Sequence, residues 1–215
     1  MAQENPIAAT DSPVVEQDGL EWELFWHANR AKILGGLLAA VVVLAAVGGW
    51  AVSQSIASED AARMLAEAND ATAWEALIAK YPRSTPAADA YFRLAGAQRE
   101  TGKLEESTAT FRKFLSNFPN HALAGAALFG IGQNQDSAGK ADEALVTYDQ
   151  VITGYPKSYV APFAAYSRAE ILLRDLKRDE ARKVLEAIVA EFPASSAASM
   201  AQSQVQRLAP APAGK

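Results

Sequence analysis

The sequence predicts an all-α chain in which a single transmembrane helix precedes an α-solenoid of 37-residue helical hairpins. Three observations predict it. Pro82, Pro119, Pro156 and Pro193 stand 37 residues apart, each directly behind an aromatic residue. Between successive prolines, apolar residues recur at the i, i+3, i+4, i+7 spacing of amphipathic helices. Upstream of the repeats, Ile33 to Val52 runs 20 residues without a charge.

Residues 1–19 are polar and acidic, carry Pro6 and Pro13, and read as a disordered cytoplasmic tail. "LEWELFWHA" then opens a juxtamembrane helix over 20–32, lying at the membrane surface. The span follows at 33–53, long enough as a helix to cross a hydrocarbon core of roughly 30 Å. Trp26 and Trp50 flank it, and the helix between them covers about 36 Å, which suits one indole at each interface. Arg30 and Lys32 precede the run while Glu59 and Asp60 follow it, favouring a cytoplasmic N-terminus; Arg63 keeps the asymmetry small. A cleaved signal peptide is the competing reading, with small residues such as Ser55 and Ala57 offering a cleavage site. Against it, a signal h-region is only roughly 7–15 residues long and does not usually sit behind a long acidic preamble. Gly35, Gly36, Ala39, Ala40, Ala45 and Gly49 give small-xxx-small spacings that admit a second helix, hence a possible homo-oligomer, although such residues are common in spans anyway.

The repeat domain occupies 55–208, and 209–215, "APAPAGK", closes the chain as a flexible tail. Each unit holds two amphipathic helices. Tyr91, Leu94, Ala95 and Gln98 line one first helix; Leu104, Ser107, Phe111, Phe114 and Leu115 line the second. Gly102 and Gly139 suit the left-handed position that ends a helix. Ser84 or Thr85 is expected to cap the first helix ahead of Pro86, and Ser158 to act as the equivalent cap. His121 shares the cap register with Ser84, Ser158 and Ser195 and is read as structural. Small residues recur at Ala95, Gly132 and Ala169 and at Ser107, Ala144 and Ala181, marking close backbone approach. Large ones recur at Phe111, Tyr148 and Leu185, with Trp74 in the same register in a partial first unit. A lone hairpin cannot bury both apolar sides, so such units stack, and "SSAASMAQSQVQRL" supplies a polar-faced closing helix.

These small and large columns, with a proline just past each second helix, resemble the tetratricopeptide repeat family from roughly Ser55 to Leu208. The resemblance implies a tetratricopeptide-like α-solenoid. The family's usual period is 34 residues; the three extra here fall in the "YPRSTPA" and "YPKSYVA" loops, as in repeats of periplasmic Tol-Pal-associated and outer-membrane assembly proteins. The unit ending at Pro193 departs further, with Leu176 where glycine is expected and Arg168 where Leu94 and Ile131 sit. With its acidic tail, "NRAK", one span and then repeats, the chain is similar to the YfgM-type ancillary subunits of the SecYEG translocon. That similarity implies an inner-membrane anchor, a periplasmic repeat domain, and translocon subunits, periplasmic chaperones or exported polypeptides as partners. The alternative is a scaffold for an envelope assembly of the cell-wall or Tol-Pal type, and a more remote one is an accessory domain for a separate enzyme.

A net charge of −5 and scattered Lys and Arg leave no basic face for nucleic acid. There is no cysteine, so no disulfide, thiolate site or lipidated cysteine, and the redox compartment stays open. His27 and His121 are the only histidines and stand in no metal-ligand spacing. "FGIGQNQ" is no dinucleotide loop, because its glycines follow the helix register. The carboxylate pairs Glu105–Glu106 and Asp142–Glu143 recur at the repeat period at helix starts, where they face the positive helix end. No catalytic residue, metal or cofactor is expected, and the chain reads as a non-enzyme.

One column points to a binding face. Phe92, Phe129 and Tyr166 lie 37 residues apart, each one residue past a buried position and so turned about 100° around the helix. The family resemblance implies that this column lines the inner concave surface, with Arg99, Gln133, Asp136 and Glu170 beside it for polar contacts. Two readings stand together: the rings hold apolar side chains of a bound segment, or they wedge between first helices and stiffen the stack.

Overall fold

The computed structural model describes residues 17–208, with the side chains of 17–24, 50–52 and 54 outside that description. The expected tails at 1–16 and 209–215 also lie outside the described residues. Nine helices and no strand are present among the described residues. The chain divides into two compact units, Met1–Ser55 and Ile56–Lys215.

The first unit is built on α1 (Gln17–Glu67), which takes in the expected juxtamembrane segment and begins at Gln17, inside the segment read as a tail. The stretch long and apolar enough to cross a membrane is Phe25–Gly49, with mean hydropathy 2.2. None of it is buried within the protein: Leu38 is 68% exposed and Leu44 70%. A core helix of a soluble domain would be covered; this one is not.

The second unit takes the last turns of α1 and then α2 (Ala71–Lys80), α3 (Thr85–Glu100), α4 (Leu104–Asn117), α5 (Ala124–Ser137), α6 (Ala141–Gly154), α7 (Ala161–Arg174), α8 (Arg178–Glu191) and α9 (Ser196–Leu208). From α2 onward each helix packs on its neighbours in the chain, and α7 also touches α9.

The aromatic before each proline now has a cause. Tyr81, Phe118, Tyr155 and Phe192 are all C-caps with φ between −133° and −127°, outside the α region as a following proline requires. Their N–H groups donate to the carbonyls of Leu77, Phe114, Val151 and Ile188, four buried residues also one period apart. The hairpin turns are built alike. Gly102 and Gly139 take φ of 77° and 74°, and Lys103 and Lys140 then donate back to Gln98 and Gln135, closing each first helix with a Schellman motif. Leu176 does the same with φ 63°, and Lys177 donates to Leu172. A leucine here adopts the conformation that glycine takes without steric cost.

Ser84 caps α3 by accepting from the Ala87 N–H, and Ser195 accepts from Ala198 at 3.1 Å. His121 Nδ1 accepts from the Leu123 N–H at 3.2 Å, and its ring sits edge-on to Phe114 and Phe118. The expected cap at Ser158 does not form. The residue at the helix start is Val160, and the Ser158 hydroxyl is buried without a hydrogen-bond partner. It is turned across the unit boundary instead, so that a Cβ on Gly125 would stand 3.0 Å from Ser158 Oγ.

The small and large columns interlock as a stacked core requires. Phe111, Tyr148 and Leu185 are buried, and so are Ala95, Gly132, Ala169, Ser107, Ala144 and Ala181. Trp74, Met64 and Leu65 join the first core cluster around Tyr91 and Phe114, so the partial unit is packed rather than open. Asp60 ties the end of α1 to α2, accepting from Lys80 Nζ at 2.8 Å and Tyr81 Oη at 2.6 Å. Those two donors, with Arg63 beside them, hold its carboxyl down at about 2. Arg168, the polar intruder in the Leu94 and Ile131 column, is half-buried and bonds Asp149 at 3.0 Å across to α6.

Candidate functional site: the face of the first helices

The three column aromatics sit on α3, α5 and α7, and all are half-buried. Phe92 meets Phe111 edge-on at 5.4 Å and Phe114 at 4.9 Å. One period later Phe129 packs on Tyr148 at 5.7 Å. Tyr166 joins the cluster around Leu185, the residue in the Phe111 register. Phe92 and Phe129 thus back onto the large residue of their own second helix, and all three rings keep an exposed portion. Phe92 touches both the first and second core clusters, so it also bridges neighbouring units.

The polar residues beside the column are joined to one another. Arg99 donates to Gln133 Oε1, linking α3 to α5. Asp136 pairs with Arg174, linking α5 to α7. Arg174 was not among the expected contacts; it is an arginine 38 residues from its partner, one place off the repeat period. Glu170 makes no direct ion pair among the described residues, and partial burial, with Asp136 adding to it and Arg174 opposing, pushes its carboxyl above the ordinary value. The face therefore presents aromatic edges on a row of cross-linked polar groups, with Glu170 beside them.

A wider apolar cleft lies where this face meets the proline loops, and periodicity alone did not reveal it. It measures about 720 Å³ and is lined by Pro156, Tyr159, Pro162, Phe163, Phe192 and Pro193 among others. Tyr159 is 65% exposed. The signal was present as a change of size: Tyr159 stands where earlier units have Thr85 and Ala122, and Phe163 where they have Asp89 and Ala126. Trp26, Arg30 and Lys32, the expected membrane-interface residues, are all on α1, with Trp26 38% exposed and both cations exposed. Trp50 lies on α1 with its side chain outside the described set. No group of three or more His, Cys, Asp and Glu able to hold a metal occurs among the described residues.

Comparison with known proteins bears on the whole architecture. A tetratricopeptide repeat protein from Parabacteroides merdae ATCC 43184 superposes with a TM-score of 0.53 at 18% identity, over 73% of this chain and 60% of that one. The chain thus corresponds to 60% of that protein's length. A Podosopora anserina protein of the kinesin light chain type, with nearly identical tetratricopeptide-like repeats, superposes at 0.51 with 15% identity, over 72% of this chain and 82% of that one. At these identities the likeness concerns the fold. No curated protein matches the sequence. The tetratricopeptide repeat-like domain profile matches residues 23–209, from the apolar part of α1 through α9. The chain belongs to the tetratricopeptide repeat-like domain family.

Proposed function

We propose that the chain is a membrane-tethered interaction protein, anchored in a bacterial inner membrane with its N-terminus cytoplasmic and its repeats in the periplasm. There the first-helix face binds polypeptide at the translocon, helping to pass exported chains to periplasmic chaperones. The observation that carries the tethering is the extent of the family match, which begins at residue 23 and takes in the apolar segment together with the repeats. A leader removed from the mature chain would not be expected inside such a domain. The unburied apolar stretch supports the same reading, since it needs lipid or another helix to cover it. Arg30 and Lys32 ahead of it support the cytoplasmic N-terminus. Phe92, Phe129 and Tyr166, with the Tyr159 and Phe163 cleft beyond them, supply apolar contact for a bound segment, and Arg99, Gln133, Asp136 and Glu170 its polar surround.

Crosslinking in intact membranes, followed by identification of the captured proteins, tests the proposal. Translocon subunits, chaperones or exported polypeptides are the expected partners. Capture of cell-wall or Tol-Pal components in their place would reassign the chain as an envelope scaffold. Protease added to spheroplasts should digest the repeats and spare the N-terminal tail. Recovery of the repeats as a soluble fragment starting near Ser58 would overturn the anchor.

A further inference from the structure

Successive helices of the repeats run in opposite directions, so the hairpin turns gather at one end of the stack and the proline loops at the other. Lys140 of one turn meets Glu105 of the turn before it at 3.6 Å. At the far end, Pro119 and His121 share a cleft with Tyr155 and Pro156, and Pro156 and Tyr159 share the next with Phe192 and Pro193. The two ends differ in charge. At the turn end α4, α6 and α8 each open on two acids, the pairs Glu105–Glu106, Asp142–Glu143 and Asp179–Glu180. At the loop end α3, α5, α7 and α9 have no acid in the first turn. The helix dipole favours a carboxylate at every start, so something other than the helices keeps acids from this one end.

What stands there instead is basic and aromatic. Through the loops 79–86, 116–123, 153–160 and 190–197, Glu191 is the sole carboxylate, against Lys80, Arg83 and Lys157. Arg83 and Lys157 are exposed and make no ion pair or side-chain hydrogen bond among the described residues. The other acids near this end are Asp60, held by Lys80 at 2.8 Å, the exposed Glu59, and Asp89 in the second turn of α3. Tyr159, 65% exposed, adds a ring with a polar tip, a side chain suited to the headgroup layer of a bilayer.

The chain also enters the repeats at this end. Asp60 on α1 accepts from Lys80 and Tyr81 where α2 runs into Pro82, so the last turns of α1 begin beside the proline loops. Asp60 comes only eleven residues after Gly49, the end of the apolar stretch. That length of chain spans at most about 40 Å, however it is disposed. A surface tethered so closely meets a bilayer at high effective concentration, and a few weak contacts are then enough to hold it.

We propose that the proline-loop end docks on the anionic headgroups of the membrane that anchors the chain, with Arg83 and Lys157 on lipid phosphates and Tyr159 at the headgroup level. This rests on the anchor proposed above. Carboxylates in these loops would be repelled by such a surface, which accounts for their absence from one end alone. Phe92, Phe129 and Tyr166 lie roughly one to two turns in from the loops, so lipid at the loop end leaves the first-helix face to a polypeptide.

The chain has no cysteine, so a single one introduced by substitution can carry a fluorophore. The full chain is reconstituted in nanodiscs of phosphatidylcholine, alone or with an equal part of phosphatidylglycerol, and nitroxide lipids serve as quenchers. Labels go at Asn120, in the loop between those of Arg83 and Lys157, at Ala138 in a hairpin turn, and at Leu38 in the apolar stretch, all exposed. A headgroup nitroxide should quench the Asn120 label in the anionic discs and leave the Ala138 label bright. Neutral lipid, or Arg83→Gln combined with Lys157→Gln, should lower the ratio of quenched to unquenched Asn120 label by about ten-fold or more. Tyr159→Ser should lower it too. Quenching at Ala138 as strong as at Asn120, or Asn120 quenching indifferent to lipid charge and to loss of both cations, would overturn the docking, while a Leu38 label quenched by an acyl-chain nitroxide keeps the anchor. A Leu38 label that no acyl-chain nitroxide reaches would overturn the anchor and the docking with it. An Asn120 label that responds to an added protein and not to lipid would overturn the docking and give this end to that partner.

Discussion

Gly132 lies against the Tyr148 ring so closely that a Cβ added to the glycine would stand 2.6 Å from Cε1 and 2.8 Å from Cδ1. The ring is fully buried and cannot swing away. Gly132→Ala should therefore lose about 1–2 kcal/mol, the overpacking outweighing the better helix propensity of alanine. Gly96→Ala on α3 meets open space and should gain about 0.5–1 kcal/mol. Denaturant midpoints of the two variants would separate packing from propensity, and equal shifts of one sign would contradict the close approach.

Leu176 holds φ 63° and is 83% exposed, so its side chain gives the fold little in return for the backbone conformation. Leu176→Gly should raise stability by about 0.5–1 kcal/mol, less than the full left-handed penalty because glycine also frees the unfolded chain. A thermal melt that shows a loss would mean the leucine makes contacts the fold does not display.

Burial pushes the Tyr148 hydroxyl up to about 12, with Asp136 adding to the shift and Ser167 and Arg99 opposing it. The folded state keeps the proton where the unfolded chain has lost it. The associated stability is fully present below pH 10 and falls as pH rises from 10 to about 12, by on the order of 2 kcal/mol. Tyr148→Phe should flatten that part of the stability profile relative to wild type. An unchanged alkaline slope would assign the loss to other groups.

Phe129 is half-buried on Tyr148, so Phe129→Ala should cost about 2–3 kcal/mol, somewhat under the loss for a fully enclosed ring. If the face also binds, partner crosslinking per folded molecule should fall in the same variant. Undiminished capture would leave the ring with a packing role alone.

The proline spacing, the glycine turns and the small and large columns were legible because each unit must satisfy the same backbone and packing needs. What the period averages away was not legible. Arg174 reaches Asp136 from outside the column that drew attention to Asp136, and Arg168 answers Asp149 where the repeat calls for an apolar residue. Tyr159 was hidden in a segment read only as an elongated loop, and Phe163, on α7, falls in none of the columns that drew attention. Ser158 was misread because its register matched Ser84, whereas α7 begins at Ala161 and the hydroxyl faces Gly125. Backbone position was periodic there; the direction of one side chain was not.

From α2 onward each helix finds its main contacts in the segments just before and after it. Few distant stretches must meet before a hairpin gains support, so the entropic delay of closing long loops is small. A chain emerging from one end can condense unit by unit, without waiting for its last residues. Loss of order should follow the same logic in reverse, fraying from a terminal helix such as α9 while interior hairpins persist.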